Sequence, residues 1–371
     1  MTMPDSDRSP LSCIRADVQA MHAYVVQNSI GMVKLDAMEN PHRLSPELQV
    51  ELGQRLGVVA LNRYPGPRIN DLIDALRRHV ALPDGYVLML GNGSDELISL
   101  LALACAVPPV AANGQKKACV LAPEPGFVMY GMSAQLQGLD YVGVPLTADF
   151  ELDVPAMLAA IEQHRPAITY LAYPNNPSAN LWDDAALEAV IAAVGRHGGL
   201  VVIDEAYQPF AAKSYLDRLT RHPHVLLLRT LSKFGLAGVR LGYLVGPQVL
   251  IAELDKVRPP YNVSVLNCEA ALFALEHQEV FELQAEEIRG QRALLLEALR
   301  RMSGVQVFPS EANMILLRVP DAAKTFDGMK AHGVLIKNVS KMHPLLNNCL
   351  RLTVGTAPEN RHLLAAMETS L

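Results

Sequence analysis

Short apolar runs alternate with longer amphipathic segments through the middle of the chain. Each apolar run has the length of a strand that is buried on both faces, and each intervening segment has the apolar spacing of a helix. This alternation is typical of an α/β fold with a mostly parallel, seven-stranded sheet that is flanked by helices. The sequence predicts strands at 86–91, 118–122, 141–145, 168–173, 200–204, 225–230 and 240–245, with helices at 95–106, 127–137, 156–163 and 185–196.

The N-terminal part of the chain follows a different pattern. Residues 11–30 read as an amphipathic or irregular arm, after which two helices are predicted at 45–59 and 68–80. Ser45 is the expected N-cap of the first of these helices, and Pro46 is expected at its first helical position. We therefore expect helical structure before the first strand of the sheet.

The pattern changes again after Pro260. A long helical stretch and three short strands are predicted there, at 264–302, 315–319, 335–337 and 350–354. This order of elements is typical of a smaller α+β domain. We predict an N-terminal arm that includes part of the small domain, a large domain and a small C-terminal domain, at 1–40, 41–258 and 259–371 respectively.

Composition and charge exclude several classes of protein. The 371 residues are 50% hydrophobic, enough core-forming material for two or three domains. A net charge of −6 gives no basic surface for nucleic acid, and no apolar run reaches the ~18 residues of a membrane span. The eleven histidines show no metal-ligand spacing, so no metal site is expected. The cysteines are odd in number and widely spaced, as for reduced thiols in the cytoplasm: Cys13, Cys105, Cys119, Cys268 and Cys349.

A lysine comes shortly after one of the buried predicted strands. The segment RTLSKFGLAGVRLG leaves the strand, passes through Lys233 and turns at Gly235 and Gly238. In an open α/β sheet, ligands bind just outside the carboxyl ends of the strands. A partly desolvated amine at that position can lose its proton near neutral pH and attack an aldehyde. Taken alone, a lysine in this position is more often a solvated surface residue.

A second strand end makes a catalytic lysine the better interpretation. The apolar run 201–204 ends in Asp204, with Tyr207 three residues further on and Lys233 29 residues further on, about one βα unit. A buried carboxylate is costly unless it meets a cation or hydrogen-bond donors, and pyridoxal phosphate offers a cation in its ring nitrogen. Tyr207 could donate to the phenolate oxygen of that ring, and Lys233 could bind its aldehyde. The three residues together predict a pyridoxal-phosphate enzyme, whereas Asp204 alone could be a helix N-cap.

Eight segments between residues 34 and 356 extend this interpretation to nearly the whole chain. They are KLDAMENP, RYPGP, GNGSDE, YPNNPS, VVIDEAY, RTLSKFGLAGVRLGY, RPPYNVS and CLRLTVGT. With them the chain resembles the pyridoxal-phosphate-dependent aminotransferases of fold type I and, within that group, the histidinol-phosphate aminotransferases. The resemblance implies a fold type I architecture, pyridoxal 5'-phosphate as the cofactor, and a large domain that binds it.

The cofactor's phosphate has candidate ligands in two segments. GNGSDE follows a predicted strand and opens a helix, where backbone N–H groups attract a phosphate and glycine permits close approach. The second segment contains Arg240, which lies seven residues after Lys233, where many relatives have eight. The candidates are Gly93, Ser94 and Asp95, to which the resemblance adds Thr230, Ser232 and Arg240.

The resemblance also implies contacts to the cofactor ring and to the substrate. Asn176, in YPNNPS, matches the asparagine that hydrogen-bonds the phenolate oxygen of the ring beside the tyrosine. Phe127 matches the aromatic residue that lies over the ring. Arg351 matches the arginine that binds the substrate carboxylate as a bidentate pair. In this family it must accept the phosphate of one substrate and a carboxylate of glutamate.

Three further residues carry expectations from the resemblance alone. Tyr64, in RYPGP, matches a tyrosine that crosses the interface of a homodimer to the cofactor phosphate of the other subunit. Tyr24 and Asn40 match the N-terminal region that closes over the substrate. Position 38, where the family usually has asparagine, is Met38 in this chain.

The expected reaction is a transamination between L-glutamate and imidazole-acetol phosphate, giving L-histidinol phosphate and 2-oxoglutarate in cytoplasmic histidine biosynthesis. An aromatic or broad-range aminotransferase, or a phospho-amino-acid decarboxylase of the same fold, would share the cofactor residues. A non-catalytic ligand sensor is an alternative of another class. Such a sensor would be expected to carry a DNA-binding module, for which we expect the 33 residues before the first motif to be too few. Lys233, Asp204 and Tyr207 favour an enzyme over the sensor.

Overall fold

The computed structural model describes residues 10–21, 23, 26–106 and 117–371. Its contacts divide the chain into two compact units, Met1–Gly31 and Met32–Leu371. Within the first unit, the described residues form a 3₁₀ turn at Pro10–Cys13 and one short helix at Ala16–Gln19. The boundaries expected between a large and a small domain stay a prediction.

Helices and strands alternate along most of the described residues. The helices are α1 Ala16–Gln19, α2 Pro46–Gly57, α3 Arg68–Val80, α4 Ser94–Cys105, α5 Met129–Leu136, α6 Val154–His164, α7 Asp184–Arg196, α8 Gln248–Asp255, α9 Val265–Glu276, α10 Gln278–Arg300, α11 Ala322–Ala331 and α12 Ala357–Ser370. The strands are β1 Val33–Lys34, β2 Tyr86–Gly91, β3 Cys119–Glu124, β4 Asp140–Pro145, β5 Ile168–Ala172, β6 Leu200–Asp204, β7 Val225–Thr230, β8 Gly242–Pro247, β9 Gln306–Val307, β10 Met314–Arg318, β11 Val334–Leu335, β12 Lys337–Asn338 and β13 Cys349–Thr353.

The central sheet contains the seven predicted strands in the order β2-β8-β7-β6-β5-β3-β4. Four of its neighbouring pairs are parallel, and β8 runs antiparallel to both of its neighbours. The prediction of a mostly parallel seven-stranded sheet flanked by helices is therefore confirmed. β6 and β7 are neighbours, with Asp204 opposite Leu228, so the strand ends that carry Asp204 and Thr230 lie side by side.

Helices cover both faces of this sheet and bury most of its strands. All six residues of β7 and all five of β5 are buried, as their continuous apolar sequences predict. One core cluster combines the sheet with α3, α7 and α9, and another combines it with α4 and α5. A strand that is enclosed on both faces is rigid, so the side chains at its carboxyl end are held in fixed positions.

A second, antiparallel sheet has the strand order β12-β13-β10-β9. It packs with α10, α11 and α12 around a separate apolar cluster, in agreement with the predicted α+β character of the C-terminal region. Arg351 lies on β13 opposite Leu316 of β10 and Lys337 of β12. A two-stranded parallel pair of β1 and β11 brings the chain near residue 34 to the C-terminal region.

The structure corrects three details of the predicted elements. The single helical stretch at 264–302 is two helices, α9 and α10, because the backbone leaves the helical conformation at His277. The strand expected at 335–337 is two short strands on either side of Ile336, and they pair with different partners. Helix α8 was not predicted.

The first helix after β1 begins as expected. Ser45 is the N-cap of α2, and its Oγ accepts a hydrogen bond from the backbone N–H of Leu48 at 3.4 Å. Pro46 occupies the first helical position, where its missing N–H costs nothing. Within the described residues, no helix combines the length and the apolar character that crossing a membrane requires.

Candidate active site

A cavity of about 370 Å³ lies beside the carboxyl ends of β5, β6 and β7. Its volume falls in the range of small-molecule and cofactor sites, and its position is where ligands bind in open α/β sheets. Most of the side chains predicted for the cofactor site line it: Ser94, Asp95, Phe127, Asn176, Asp204, Tyr207, Thr230, Ser232, Lys233 and Arg240. The structure thus brings together residues that are up to 146 positions apart in the sequence.

Lys233 lies in a short turn, Ser232–Leu236, that follows β7. Its Nζ donates a hydrogen bond to the backbone carbonyl of Ala37 at 3.1 Å. Burial, together with the positive charges of Arg351 and Arg240, lowers the pKa of the Lys233 ammonium to about 8. A substantial fraction of the side chain is therefore the neutral amine at neutral to mildly basic pH, which is the nucleophilic form.

Asp204 ends β6 and is only 5% exposed. Its Oδ2 accepts a hydrogen bond from the hydroxyl of Tyr130 at 2.7 Å, and its Oδ1 accepts one from the backbone N–H of Ala206 at 3.0 Å. Burial raises the pKa of the Asp204 carboxyl to about 6, although both hydrogen bonds lower it. No cationic side chain of the described residues forms an ion pair with this carboxylate, so the site suits a ligand that brings a positive charge.

The turn between β2 and α4 forms one end of the cavity. Gly93 has a φ of 79°, and a Cβ at this position would lie 2.7 Å from Nη2 of Arg240. Only glycine therefore allows both the left-handed backbone and the approach of the guanidinium. The same Nη2 lies 3.1 Å from Oδ2 of Asp95 in the first turn of α4. The one-residue-shorter loop after Lys233 still places Arg240 at the cavity.

Two hydroxyl groups lie at the end of β7 on the same cavity. Thr230 Oγ1 donates to Ser232 Oγ at 2.9 Å and accepts from the backbone N–H of Ser232 at 3.1 Å. Both residues are buried, at 7% and 8% exposure. Thr230 thus orients the hydroxyl of Ser232, which keeps its own proton. With the guanidinium of Arg240 and the N-terminal backbone N–H groups of α4, that hydroxyl forms a set of donors that suits a phosphate.

Asn176 and Tyr207 lie on the same cavity near Lys233. Asn176 Oδ1 accepts a hydrogen bond from Nη1 of Arg351 at 2.8 Å, so the amide orientation is fixed and Nδ2 remains the donor toward the cavity. The ring centroid of Tyr207 lies 5.8 Å from Nζ of Lys233. Burial raises the pKa of the Tyr207 phenol, so its hydroxyl stays protonated and can donate.

Comparison with known proteins agrees with this geometry. The family model "Aminotransferase class I and II" matches residues 31–367. The histidinol-phosphate aminotransferase of Polaromonas naphthalenivorans (strain CJ2) is 68% identical over 373 residues, covering 100% of both chains. That of Methylibium petroleiphilum is 69% identical over 355 residues, covering 96% of this chain and 94% of that protein. The chain belongs to the class I and II aminotransferase family.

A solved structure supports the same family at the level of the fold. The crystal structure of histidinol-phosphate aminotransferase from Sinorhizobium meliloti in complex with pyridoxal-5'-phosphate superposes on this aminotransferase with a TM-score of 0.82. The two chains are 25% identical, and the match covers 99% of this chain and 98% of the other. The resemblance to the aminotransferases that the sequence motifs indicated is thereby confirmed.

Tyr130 is a residue of the aminotransferase site that the sequence interpretation missed. It is 2% exposed, donates to Asp204 and stacks on Tyr170 with ring centroids 4.3 Å apart. Phe127, which is half-buried, meets the Tyr130 ring edge-on at 5.6 Å. No local pattern in the sequence pointed to Tyr130, because the carboxylate that it contacts lies 74 residues further along the chain. Phe127 itself lies two residues before α5 begins, not in the predicted helix.

Two residues that were predicted to contact the substrate, Arg351 and Asn40, are not among the residues that line the cavity. Arg351 is 7% exposed, and beyond its contact with Asn176 its Nη2 donates to the carbonyl of Asp36 at 2.9 Å. Asn40 does not line the cavity: its Nδ2 donates to Gln284 Oε1 at 2.9 Å, and its Oδ1 accepts from the backbone N–H of His42. The neighbouring residues Ala37, Met38 and Glu39 line it instead.

The two remaining candidates lie away from the cavity or outside the described residues. Tyr64 is 74% exposed and stacks on Tyr261 with ring centroids 4.3 Å apart. It does not line the cavity of its own chain. Tyr24 lies outside the described residues, so its predicted contact with substrate stays a prediction.

A larger cavity, of about 760 Å³, surrounds the ion pair of Glu205 and Arg229. These residues are the sequence neighbours of Asp204 and Thr230, and the alternation of an extended chain directs them to the other side. Nη2 of Arg229 lies 2.8 Å from Oε2 of Glu205, and both residues are buried. The other carboxylates of this cavity are exposed to solvent: Asp217, Glu279, Glu282 and Glu286. Among the described residues that line it, there is neither a lysine nor a buried carboxylate without a cation, in contrast to the candidate site.

Proposed function

We propose that this chain is a histidinol-phosphate aminotransferase, which transfers the amino group of L-glutamate to imidazole-acetol phosphate in L-histidine biosynthesis. The products are L-histidinol phosphate and 2-oxoglutarate. The observation that carries the chemistry is the single cavity in which Lys233 and Asp204 meet a set of phosphate-binding donors. The 68% identity to the Polaromonas enzyme along the whole chain supports the choice of substrate. The proposal includes the cytoplasm as the place of the reaction.

The residues of the cavity fit pyridoxal 5'-phosphate. The uncompensated carboxylate of Asp204 suits the protonated ring nitrogen, and the donors around Arg240 suit the phosphate. Tyr207 and Asn176 would donate to the phenolate oxygen. Phe127 would lie over the ring. Lys233, with its pKa near 8, suits a covalent bond to the aldehyde carbon.

The chain's own groups account for the proton transfers and for substrate orientation. When bound, pyridoxal phosphate supplies an aldehyde carbon and a ring that accepts electrons. When the amino donor binds, Nζ of Lys233 is freed. It would then take the proton from the Cα of the amino donor and later return a proton, acting first as general base and then as general acid. Asp204 would keep its negative charge opposite the ring nitrogen and so hold the proton there. Arg351 would orient the carboxylate of glutamate and, in the other half-reaction, the phosphate of the second substrate.

The substrate assignment is tested by a comparison of amino donors. The purified protein, loaded with pyridoxal phosphate, is mixed with L-histidinol phosphate or with L-phenylalanine, and the loss of the visible absorbance band is followed. We expect the second-order rate constant for L-histidinol phosphate to exceed that for L-phenylalanine by at least about 10²-fold. The reason is that a site built to bind the phosphate of its substrate rejects an analogue that has no phosphate.

Each competing function predicts a different result in the same experiment. A faster reaction with L-phenylalanine would assign the chain to the aromatic aminotransferases. Release of carbon dioxide from a phospho-amino acid, without formation of the pyridoxamine form, would assign it to the decarboxylases. A protein that binds no pyridoxal phosphate would contradict the enzyme proposal as a whole.

We further propose that the enzyme is a homodimer in which Tyr64 reaches the cofactor phosphate of the other subunit. The support is the exposure of this ring, together with its neighbours Val58 and Leu61, which are 85% and 70% exposed. In addition, no residue of α2, which leads into this segment, is buried. Apolar side chains that are exposed together are typical of a surface that another chain covers.

Mixed dimers test this arrangement. Lys233→Ala subunits and Tyr64→Ala subunits, each inactive at a limiting cofactor concentration, are combined in equal amounts and allowed to exchange. In a twofold-symmetric dimer, one site of each mixed dimer then has both wild-type residues, and about a quarter of the wild-type activity is expected. Tags on the two variants confirm that mixed dimers form. Mixed dimers without activity would contradict the proposed role of Tyr64.

A further inference from the structure

The segment RPPYN, at residues 258–262, holds the turn between β2 and α4 in place through Asn262. The side-chain amide of Asn262 donates two hydrogen bonds from Nδ2, to the backbone carbonyl of Leu90 at 3.1 Å and to Oε2 of Glu96 at 2.6 Å. Its Oδ1 accepts from Nη1 of Arg258 at 3.0 Å. Three of the four hydrogen-bonding positions of this amide are thus in use, and the contacts span more than 160 residues of sequence.

Glu96 connects Asn262 to the turn, because its carboxylate is hydrogen-bonded to both. The same Oε2 that accepts from Asn262 also accepts from the backbone N–H of Asn92 at 2.6 Å. Asn92 and Gly93 are the two residues before α4 begins. Asn262 therefore fixes the carbonyl of Leu90, near the end of β2, directly and the turn after it through Glu96, because each of the two amide hydrogens has its own acceptor.

The opposite side of the same turn is held by the backbone of β8. A Cβ at Gly242 would lie 2.7 Å from both the carbonyl carbon of Gly93 and the backbone nitrogen of Ser94. The start of β8 therefore lies directly against the turn, and only glycine allows that approach. Between Gly242 on one side and the Glu96–Asn262 pair on the other, the turn has little freedom to move.

We infer that Asn262 is a positioning residue for the phosphate of the cofactor. This inference rests on the proposed function, in which the N-terminal backbone N–H groups of α4 bind that phosphate. Asn262 does not line the cavity and so acts through Leu90 and Glu96. Donors that are held in place before the ligand arrives lose no ordering entropy on binding, whereas donors in a loose turn do. The role of RPPYN is therefore to pre-organise the phosphate end of the site.

The test compares two ligands that differ only in the phosphate. Apoprotein is titrated with pyridoxal phosphate and with pyridoxal, and both dissociation constants are measured from the absorbance change on binding. For Asn262→Ala we expect pyridoxal phosphate to bind about tenfold more weakly, as the loss of roughly one hydrogen bond to a charged group implies. Pyridoxal should bind within about twofold of the wild type. A general loss of structure would weaken both ligands alike.

Asn267→Ala is the matched control. Asn267 lies five residues further along, and its backbone N–H rather than its side chain contacts Ser264. We expect it to bind both ligands as the wild type does. The melting temperatures of the apoproteins show whether either substitution affects folding.

A second substitution tests the route through Glu96. In a Glu96→Ala background, Asn262→Ala should have a smaller effect on the affinity for pyridoxal phosphate than in the wild type, because the two side chains act as one unit. Equal affinities of wild type and Asn262→Ala for pyridoxal phosphate, or an equal loss for pyridoxal, would overturn the inference. Wild-type protein that does not bind pyridoxal phosphate would overturn the proposed function instead.

Discussion

Substitution of Lys233 by alanine is expected to abolish transamination, with a loss of at least about 10⁴-fold in turnover. The structure gives two reasons. Lys233 is the only lysine among the described residues that line the cavity, so no other amine can bind the cofactor aldehyde. Its Nζ is also the group proposed to move the proton from the substrate Cα. One substitution therefore removes both functions, and assay of the purified variant with L-histidinol phosphate and 2-oxoglutarate measures the loss.

Two controls separate chemistry from folding in this experiment. Lys213→Ala removes an exposed lysine that contacts Asp184 at 3.0 Å, and it should leave turnover unchanged. Pyridoxal phosphate should still raise the melting temperature of Lys233→Ala, because the phosphate donors and Asp204 remain, but the visible band should be absent. Full turnover by Lys233→Ala would show that the cavity is not the active site.

The strands of the central sheet could be predicted because the pattern that marks most of them, a short apolar run, lies within the strand itself. Most of the seven strands are continuous apolar runs, because burial on both faces requires such a run, so their prediction needed no knowledge of what packs against them. The length of one βα unit indicated that Asp204 and Lys233 could lie at nearby strand ends, and the structure shows that β6 and β7 are direct neighbours. In contrast, the break at His277 between α9 and α10 depends on the backbone of one residue, for which the sequence has no glycine or proline signal.

The centre of the site was predictable for a related reason. Lys233 and Asp204 each lie at or just after the end of a buried strand, and carboxyl ends of parallel strands meet at one edge of a sheet. Their roles could be argued from chemistry because a buried carboxylate without a cation is costly. The resemblance to the family then supplied Asn176, Phe127 and Arg351, which no local pattern singles out.

Contacts between distant side chains were not predictable from the pattern. Tyr130 was not singled out in the sequence, and only the structure shows that its hydroxyl donates to Asp204. Asn262 likewise gave no sign of its contact with Glu96, because an asparagine shortly after two prolines is typical of any turn. Both contacts join segments of the chain that the sequence alone cannot align in space.

Substitution of Asp204 by asparagine is expected to lower turnover by about 10² to 10³-fold, the size of effect seen when one electrostatic group is removed from a site where charge develops. Asparagine is nearly isosteric but neutral, so it cannot hold a proton on the ring nitrogen. Asp217→Asn, on an exposed aspartate, is the matched control and should retain full turnover. An Asp204→Asn variant with wild-type turnover would contradict the proposed role of this carboxylate.

The same substitution, which lowers turnover, should stabilise the apoprotein near neutral pH. Burial raises the pKa of Asp204 from 3.8 to about 6 in the folded state, so between these pH values the folded protein holds a proton that the unfolded chain has lost. The free energy of unfolding therefore falls as the pH rises through this window, by about 2 kcal/mol between about pH 4.5 and pH 7.5. The Asp204→Asn variant has no such titration. Its free energy of unfolding, measured in urea titrations, should therefore rise by about 2 kcal/mol relative to that of the wild type between about pH 4.5 and pH 7.5.

If the difference in free energy of unfolding between the two apoproteins did not change with pH, the carboxylate would not be a buried acid with a raised pKa. Added pyridoxal phosphate should remove most of the difference at pH 7.5, because its ring cation compensates the charge of Asp204.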